Sequence, residues 1–460
     1  MRGLLVAIVG IAIGVGAFFF ARSAMNVPVA GPTIIFAPGV ELTAELDKLP
    51  EGAEPTIRIP VGEDASKRFA EAVYEIPAGG TIVFDEGKYE FDRGFELSKA
   101  GITIKGAGQE KTILNFSKQA AGSGGEGIRA NGDRFTLEEL TVEETKGDAV
   151  KVERSNGVVM RRVSTLWHNE GNPKNGAYGL YPVTCKNVLI EYCTAVGASD
   201  AGIYVGQSEN IIVRNCRAEK NVAGIEIENS KNADVYDNTA TNNAGGLLIF
   251  DLPGLPAGNG GGHRVYKNTI FENNHVNFAP EGNIVATVPA GTGIMVMATD
   301  NVEVFENKVD KNQSSNMSII SFLFTQRKIE DPKYDPIPEG IYVHNNEFTG
   351  GGDKPTGAIK ALALLIGQPY PDILYDGIVN PQTLVEGKVP ADKRIYIDNN
   401  GDADFINLRL DQVDGIESLF DPKKAAEHKE KLVRDLGTVS GEIALRKDPV
   451  KIDDVKPQVQ

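Results

Sequence analysis

A repeat of about 22 residues most constrains how this chain can fold, because self-similarity at a fixed period indicates a solenoid whose repeats stack on one another. A pattern that begins at Gly202 begins again at Gly224 and a third time at Gly246, at equal intervals. Apolar and polar residues alternate within each unit, as at Ile203 and Val205, and a period of two is typical of strands rather than helices. The sequence therefore predicts an all-β fold, a parallel β-helix of roughly ten coils.

The same unit can be phased along most of the chain. Further starts of the first strand are predicted at Gly127, Ala149, Gly179, Gly293 and Gly340. The interval from Ala149 to Gly179 is longer than one repeat and leaves room for a loop at 167–175. Asn residues recur in phase at two corners, with Asn187, Asn210, Asn232 and Asn301 at one and Asn221 and Asn243 at the other. Because Asn tolerates left-handed turns and stacked amides can bond from coil to coil, these ladders are interpreted as structural.

The chain is interpreted as one long domain with caps, because solenoids grow by adding coils to a continuous core. The predicted segments are 1–24, a signal peptide or anchor; 25–60, a proline-rich tether; 61–126, an N-terminal cap with a short helix (Asp64 to Val73) and the first coils; 127–350, the repeat core; 351–420, loop-rich last coils; and 421–460, a polar helix (Lys423 to Leu436) and charged tail. The apolar run from Leu4 to Phe20 predicts export, to the periplasm or the cell surface. Its length leaves cleavage and membrane anchoring both open.

The charge balance narrows the range of partners. With 47 basic and 63 acidic residues, the formal net charge is −16. This balance argues against nucleic acid and against an anionic membrane surface, so membrane contact is predicted only through the N-terminal segment. A strongly anionic polysaccharide would also need a local basic patch to offset the overall charge.

The cysteines predict neither a disulfide framework nor a cofactor. Cys193 and Cys216 occupy the same phase of successive repeats, so they are expected to stack on neighbouring coils, and Cys185 stands apart. Buried thiols in a ladder are favoured over a disulfide, since stacked side chains point the same way. The sequence has no zinc or haem spacing. The segment Asp398 to Asp404 lacks the Gly and Glu of a calcium loop and is interpreted as a turn, so no metal or cofactor is predicted.

Several strings resemble a known superfamily. The turn that begins at Pro77, the Gly-Lys-Tyr strand at Gly87 and the string from Ile102 to Gly108 resemble the first coils of the pectin-lyase-like right-handed β-helix superfamily. The core at 127–350 resembles its carbohydrate-binding and sugar-hydrolase repeat class. Strings that begin at Gly176, Gly197 and Phe250 are similar to a group of exported bacterial parallel β-helix repeat proteins. The resemblance covers about three quarters of the chain; it implies a right-handed β-helix and no particular activity.

The outward position of the first strand supplies the candidate site. Coil by coil it reads Arg129, Lys151, Tyr181, Tyr204, Glu226 and Leu248. Equivalent side chains lie about 4.8 Å apart, so the two tyrosines, flanked by Lys151 and Glu226, are predicted to form an exposed sugar-binding strip. The loop that carries Trp167 and His168 is expected to overhang it. The alternative is that Tyr181 and Tyr204 merely pair across strands, as aromatic residues do.

Catalysis has weaker support in the sequence. The coils lack the clustered aspartates and Gly-His-Gly of polygalacturonases and the calcium carboxylates and arginine of pectate lyases. The acid-rich string of alginate epimerases is reduced here to Pro182, after Tyr178-Gly-Leu-Tyr. Three hypotheses remain open: binding of a polysaccharide or envelope glycan, which is favoured; a lyase, epimerase or hydrolase with a non-standard site; and a scaffold that docks another exported protein.

Overall fold

The computed structural model describes residues 55–120, 125–413, 421–434, 445 and 448–452. Its strands, numbered in chain order, stack in three parallel sheets. The first sheet holds β4 (Phe95–Leu97), β7 (Ile128–Ala130), β9 (Val150–Glu153), β11 (Tyr178–Val183), β14 (Ala201–Gly206), β17 (Ala223–Glu228), β20 (Gly245–Phe250), β23 (Thr292–Met297), β26 (Ser315–Ile320), β29 (Ile373–Tyr375) and β31 (Phe405–Asn407).

The other two sheets share two long, bent strands. The second holds β1 (Thr56–Ile59), β2 (Thr81–Phe84), β5 (Thr103–Lys105), the first parts of β8 (Phe135–Glu143) and β10 (Asn156–Leu166), β12 (Lys186–Glu191), β15 (Glu209–Arg214), β18 (Lys231–Tyr236), β21 (Gly261–Tyr266), β24 (Asp300–Phe305), β27 (Ile341–His344) and β30 (Ile395–Asp398). The third holds β3 (Gly87–Glu90), β6 (Thr112–Asn115), the second parts of β8 and β10, β13 (Thr194–Val196), β16 (Arg217–Glu219), β19 (Thr239–Thr241), β22 (Thr269–Phe271), β25 (Lys308–Asp310) and β28 (Glu347–Thr349).

The observed register confirms the repeat. Ile203 pairs with Ile225, and Ile225 with Leu247, so each residue meets its equivalent one repeat further along the chain. These residues point into one continuous core, where every coil places apolar side chains on their equivalents in the next coil. The fold is thus the predicted right-handed parallel β-helix. One predicted strand start is wrong: Gly340 leads into β27 of the second sheet, and the first sheet takes β26 there instead. A Gly followed by alternating apolar residues precedes strands of either sheet, so this short motif could not distinguish them.

A short helix covers the first coil, as predicted. It is α1 (Ala65–Glu75), and its buried face includes Ala65, Phe69 and Ala72. The Phe69 ring lies 4.9 Å from that of Phe84 and 4.2 Å from that of Phe95. The helix therefore closes the end of the core that would otherwise face water.

Helical turns elsewhere lie between strands or after the last coil. They are the 3₁₀ turns Val285–Thr287, Phe322–Thr325, Gly357–Leu362, Ala391–Lys393 and Leu410–Gln412, and the helices α2 (Ala363–Ile366) and α3 (Pro422–Lys429). The α3 helix is the predicted polar helix, although it is shorter than expected on the residues that the structure describes. No helix within the described ranges is long and apolar enough to span a membrane.

The predicted segment boundaries need one correction at the N-terminus. Residues 1–24 and 25–54, the predicted export segment and most of the tether, lie outside the described residues. Thr56–Ile59, which the sequence assigned to the tether, forms β1 and pairs with β2. The tether assignment is therefore wrong for this short stretch, because its alternating pattern extends the second sheet by one strand.

The C-terminal segment also buries more than its charged sequence suggested. Val450 packs with Val159, Leu189 and Ile212, which form an apolar stripe on the outside of the second sheet. The Val450 N–H donates a hydrogen bond of 2.8 Å to Asp234 Oδ2. The expectation of a tail with little to bury is wrong at this point, because Val450 and the partly buried Ile452 pack on the stripe from among charged residues.

The three cysteines are buried and free, as expected. The Cys193 N–H donates to Cys216 Sγ at 3.4 Å, so these two residues do stack from coil to coil. Burial raises the pKa of the Cys185 thiol to about 12. Cys185 is therefore a poor nucleophile, and all three cysteines belong to the core.

Asn ladders bind the corners of successive coils, as predicted. The buried ladder Asn221, Asn243, Asn273, Asn312 and Asn316 links each amide N–H to the next amide oxygen at 2.9–3.1 Å. A second buried ladder, missed in the sequence, runs through Asn238, Asn268, Asn307, Asn346 and Asn400. At the other predicted corner Asn187, Asn210, Asn232 and Asn301 all have left-handed φ angles of 54–58°.

The repeated glycine and the repeated asparagine are one structural feature. A Cβ at Gly202 would lie 2.6 Å from Asn221 Nδ2, and a Cβ at Gly224 would lie 2.8 Å from Asn243 Nδ2. Every residue other than glycine has a Cβ, which would collide with the ladder amide at this distance. The glycine that marks each repeat in the sequence is therefore required because, without a Cβ, it leaves space for the amide ladder.

We expect Asn243→Ala to lower the free energy of unfolding by about 2–3 kcal/mol, because it leaves buried amide partners on both neighbouring coils unsatisfied. Urea unfolding followed by circular dichroism measures this loss. Asn210→Gly is the matched control: it keeps the left-handed turn in a partly exposed ladder where water can replace the amide, so it should cost less than about 1 kcal/mol. Equal losses for the two variants would contradict the structural role assigned to the buried ladder.

Candidate functional site

The outward side chains of the first sheet form one column along the solenoid, here called the outer column. Its members, coil by coil, are Arg129, Lys151, Tyr181, Tyr204, Glu226, Leu248, Met295, Ser318, Leu374 and Ile406. Four of the predicted site residues, Lys151, Tyr181, Tyr204 and Glu226, therefore lie on consecutive coils of one face. This arrangement depends on residues 167–177 being a loop, and they do join β10 to β11 without a strand.

The exposure expected for this strip is wrong for two of its four members. Arg129, Lys151 and Tyr181 are half-buried, but Tyr204 is 4% exposed and Glu226 is 1% exposed. The cause is a second apolar cluster outside the sheet, here called the outer cluster. It is built from residues of the loops after β22, β26 and β28 and from the segment after β31, including Phe278, Val285, Val288, Phe322, Tyr334, Ile337, Ile359 and Leu410. These loops fold back over the column from Tyr204 onward.

The structure separates Trp167 and His168 from the column. Trp167 belongs to the inner core, and its indole N–H donates to the Thr145 carbonyl at 2.8 Å. His168 lies with its Nε2 3.2 Å from Glu143 Oε2, at the end of β8 in the third sheet. The expectation that this loop overhangs the tyrosines is wrong, because the indole ring is drawn into the core as an apolar side chain.

Three tyrosines and one lysine meet where the outer cluster ends. Ring centroids are 4.4 Å apart for Tyr178 and Tyr181, 4.7 Å for Tyr178 and Tyr204, and 5.0 Å for Tyr181 and Tyr204. Lys151 Nζ lies 5.1 Å from the centroid of the Tyr181 ring, within cation–π distance. The pairing of Tyr181 with Tyr204, raised as an alternative to ligand binding, is thus present. Tyr178 was missed, because its position lies outside the strict alternation of β11.

Four carboxyl groups lie beside these tyrosines: Asp148, Asp200, Glu226 and Glu228. The Tyr204 hydroxyl donates to Glu228 Oε1 at 2.6 Å, and Asn283 Nδ2 donates to Asp200 Oδ2 at 3.0 Å. Gly206 makes room for the hydrogen bond between Tyr204 and Glu228, since a Cβ at Gly206 would lie 2.2 Å from the Tyr204 hydroxyl oxygen. Only Glu226 of these four was predicted. Asp148 and Asp200 precede strands at a corner of the coil, so no periodic pattern pointed to them.

Burial shifts the titration of this group toward the neutral forms. Desolvation raises the pKa of Asp148 to about 6, with Lys151 opposing the shift. Desolvation and the nearby Glu228 raise the pKa of Asp200 to about 7. The pKa values of Glu226 and Glu228 are also raised by desolvation, and Glu226 is further disfavoured as an anion by its neighbour. Carboxyl groups held in this way can give or take a proton near neutral pH.

Burial also holds the tyrosines in their neutral form. Burial and the surrounding carboxylates raise the pKa values of Tyr178, Tyr181 and Tyr204 above the ordinary range of a phenol. This environment therefore opposes a phenolate base at Tyr181 or Tyr204. The phenols can instead donate hydrogen bonds and present ring faces.

One carboxylate oxygen in the group is unsatisfied. Glu226 Oε2 is buried and has no hydrogen-bond partner among the described residues. Within the same ranges, no set of three or more His, Cys, Asp or Glu side chains is placed to hold a metal ion. The carboxyl groups of these acids can exchange protons or accept hydrogen bonds.

Comparisons with known proteins agree with this architecture. Residues 100–254 match the family model described as a right-handed β-helix region. Together with the three parallel sheets, this match supports a right-handed parallel β-helix. Among curated proteins, no sequence matches the chain.

Solved structures resemble the chain at low sequence identity. The A-module of mannuronan C-5 epimerase AlgE4 from Azotobacter vinelandii is 16% identical, with a TM-score of 0.48 over 74% of this chain and 92% of that one. The A-module of AlgE6 from the same organism is 14% identical, with a TM-score of 0.45 over 84% and 95%. Pectate lyase Pel9A is 14% identical, with a TM-score of 0.37 over 65% and 77%.

Tyr204→Ala tests the burial of the column. We expect the variant to lose about 3–5 kcal/mol of stability, as for other buried aromatic residues, because it opens a cavity and leaves Glu228 without its donor. The melting temperature and the urea midpoint report the loss. Tyr74→Ala, at a position 85% exposed on α1, is the control and should change stability by less than about 0.5 kcal/mol. A Tyr204 variant as stable as the control would show that the outer cluster does not cover this residue.

Stability should also fall as pH rises from about 4 to about 7. In the unfolded chain these carboxyl groups ionise near pH 4, whereas folding holds Asp148 and Asp200 protonated until about pH 6 and 7. The folded state thus binds more protons in this window, and each group removes up to about 1.4 kcal/mol per pH unit. Urea unfolding between pH 5 and 8 should give a smaller slope for Asp200→Asn than for the wild type. The exposed Asp237→Asn should keep the wild-type slope, and an unchanged slope in Asp200→Asn would contradict the assignment.

Proposed function

We propose that this protein binds a polysaccharide or envelope glycan at the open end of the outer column. The observation that carries the proposal is the half-buried pair Tyr178 and Tyr181, with Lys151 against the second ring, at the edge of a group of protonatable carboxyl groups. Aromatic faces suit the apolar side of a sugar ring, and carboxyl groups suit its hydroxyls. A small number of polar groups that converge beside aromatic side chains is what a small-molecule or sugar site requires.

The shape of the surface supports an elongated ligand. Arg129, Lys151 and Tyr181 follow one another on three coils about 4.8 Å apart, and the outer cluster begins at the next coil. A chain ligand can therefore lie along the open coils and end against the cover. Tyr204 and Glu226 then support the site from beneath the cover and are not part of its surface. Trp167 and His168 are outside it.

We also propose an extracytoplasmic location for this activity, because the apolar run from Leu4 to Phe20 is typical of an export or anchor segment. A glycan of the envelope would be encountered there. Cell fractionation of the full chain tests the location independently of the ligand.

Tyr181→Ala should weaken glycan binding by about 1–3 kcal/mol, the usual cost of removing an aromatic anchor. Because Tyr181 is half-buried, the variant should remain folded, which its melting temperature verifies. A glycan array selects the oligosaccharide, and isothermal titration calorimetry then compares wild type, Tyr181→Ala and the control Tyr74→Ala. Binding that survives in Tyr181→Ala, or an array on which the wild type binds no glycan, would contradict the proposal.

A second candidate function is acid–base chemistry on the bound glycan. It is favoured by Asp200, whose pKa of about 7 suits a group that transfers protons near neutral pH. Asp148 and Asp200, rather than the tyrosines, are the residues that could carry it. A screen for new reducing ends and unsaturated uronates, with Asp200→Asn beside the wild type, separates turnover from binding alone.

A further inference from the structure

The second sheet ends at an open strand edge, the outer edge of β1. This strand pairs in parallel with β2 and with no other strand in the part of the chain that the structure describes. The Thr81 N–H donates to the Pro55 carbonyl at 2.9 Å, and the Asp85 N–H donates to the Ile59 carbonyl at 3.2 Å. Since successive residues of a strand direct their backbone groups to opposite sides, the N–H and C=O of Arg58 point away from β2.

The apolar side of this edge is incompletely covered. Ile57 packs against the inner core but is only half-buried, whereas its equivalents on the next two coils, Ile82 and Ile104, are fully buried. Helix α1 therefore closes the core around Phe69 and leaves the last side chain of this column partly open. A strand edge that lies beside an uncovered apolar side chain is a site at which another strand can pair.

The sequence before β1 contains a further copy of the strand. Residues 33–36 read Thr-Ile-Ile-Phe, β1 reads Thr-Ile-Arg-Ile and β2 reads Thr-Ile-Val-Phe, and a proline directly precedes the first two. The structure stacks Thr56, Thr81 and Thr103 in register on successive coils. Thr33 lies 23 residues before Thr56, and Thr81 lies 22 residues before Thr103. The copy is therefore in phase with the coils.

We propose that residues 33–36 pair in parallel with the open edge of β1 and add one strand to the second sheet. In this register Ile34 lies on Ile57 at the end of the inner core, and Ile35 lies beside Arg58 on the outer face. Pairing satisfies the backbone groups at the edge, and Ile34 covers the open part of Ile57. The proposal depends on the register of the coils and not on glycan binding.

The length of the connection indicates that the chain supplies this strand to itself. The connection from the proposed strand to β1 comprises the 19 residues 37–55, and the connection from β1 to β2 comprises the 21 residues 60–80. The first connection is therefore long enough to complete a coil. Because both strands belong to one chain, their effective concentration favours this pairing over pairing with a second copy.

An occupied edge has two consequences for the protein. It blocks the recruitment of strands from other molecules, which is the hazard of an open edge. It also shortens the proline-rich tether predicted from the sequence to 25–32, eight residues that span at most about 29 Å. A leader that stays in the membrane would thus hold the first coil close to the membrane surface.

Hydrogen exchange of the full chain, read by mass spectrometry with fragmentation that resolves the Arg58 amide, tests the pairing. Ile34→Asp should speed exchange of this amide at least tenfold, because a carboxylate cannot enter the core beside Ile57 and the added strand opens. Ile35→Asp is the matched control: the same change at the next residue, on the outer face, should alter the rate less than threefold. Equal rates in the wild type and both variants, or equal acceleration by both, overturn the inference.

Chemical cross-linking tests the register without a change in the core. In Ile35→Cys/Arg58→Cys the two side chains should lie on adjacent strands about 4.8 Å apart, so a short bismaleimide should join them. In Ile35→Cys/Lys105→Cys the partner lies two coils further on, about 14 Å away, and the yield should be at least fivefold lower. The three natural cysteines are buried and do not compete for the reagent. Equal yields for the two pairs would refute the register.

Gel electrophoresis of the cross-linked Ile35→Cys/Arg58→Cys chain identifies the source of the strand. We expect a product with the mass of one chain, at a yield that does not change on dilution. A product with the mass of two chains, lost on dilution, assigns the strand to a second copy and overturns the proposal. Melting curves verify that each variant is folded, and binding on the glycan array is read separately, so failure of this inference leaves the proposed glycan-binding function untouched.

Discussion

The parallel backbone ladder between coils is the constraint on which the rest of this structure depends. Each coil pairs with its copy in the next, so equivalent residues lie about 4.8 Å apart along the whole solenoid. At that distance equivalent side chains must be able to pack together or bond to each other without repulsion. Apolar residues, amides and aromatic rings do, and the inner core, the Asn ladders and the stacked rings of Tyr236, Tyr266 and Phe305 are the result. Like charges do not, so on the second sheet acids and bases alternate from coil to coil.

The four carboxyl groups beside Tyr178, Tyr181 and Tyr204 depart from this rule, because like charges lie close together there. Two of these carboxyl groups come from the strand β17 and two from corners, and the loops beyond β22 cover them and exclude water. Water exclusion makes each unpaired charge more costly, and the group responds by retaining protons. A solenoid can carry such a local cost because the ladders on the coils before and after it are complete. Local departures of this kind are typical of functional sites.

Features that repeat from coil to coil could be predicted from the sequence, whereas features that depend on inserted loops or on corners could not. The strands, the corners, the capping helix and the column from Lys151 to Glu226 are periodic or local features, and the sequence alone indicated them. The burial of Tyr204 and Glu226 depends on loops inserted between coils, whose path has no period. Trp167 was misplaced for a related reason, since the sequence gives the position of an aromatic residue in a loop but not the side of the sheet to which it turns. Asp148 and Asp200 lie at corners, where alternation ends and no pattern marks a side chain as functional.

The position of the site along the solenoid is itself informative. The outer column is polar and partly open at Arg129, Lys151 and Tyr181. From Leu248 onward it is covered and, apart from Ser318, apolar. The acids occupy the boundary between the two regions, where the cover lowers the local polarity but one side still faces water. A carboxyl group in the open region would stay ionised and bind ligands only weakly, since water competes for it. One beneath the apolar cover would have no access to a ligand. Only at this boundary can a raised pKa and an accessible surface coexist. The half-buried Asp148, Tyr178 and Tyr181 lie there, with the buried Asp200, Glu226, Glu228 and Tyr204 behind them.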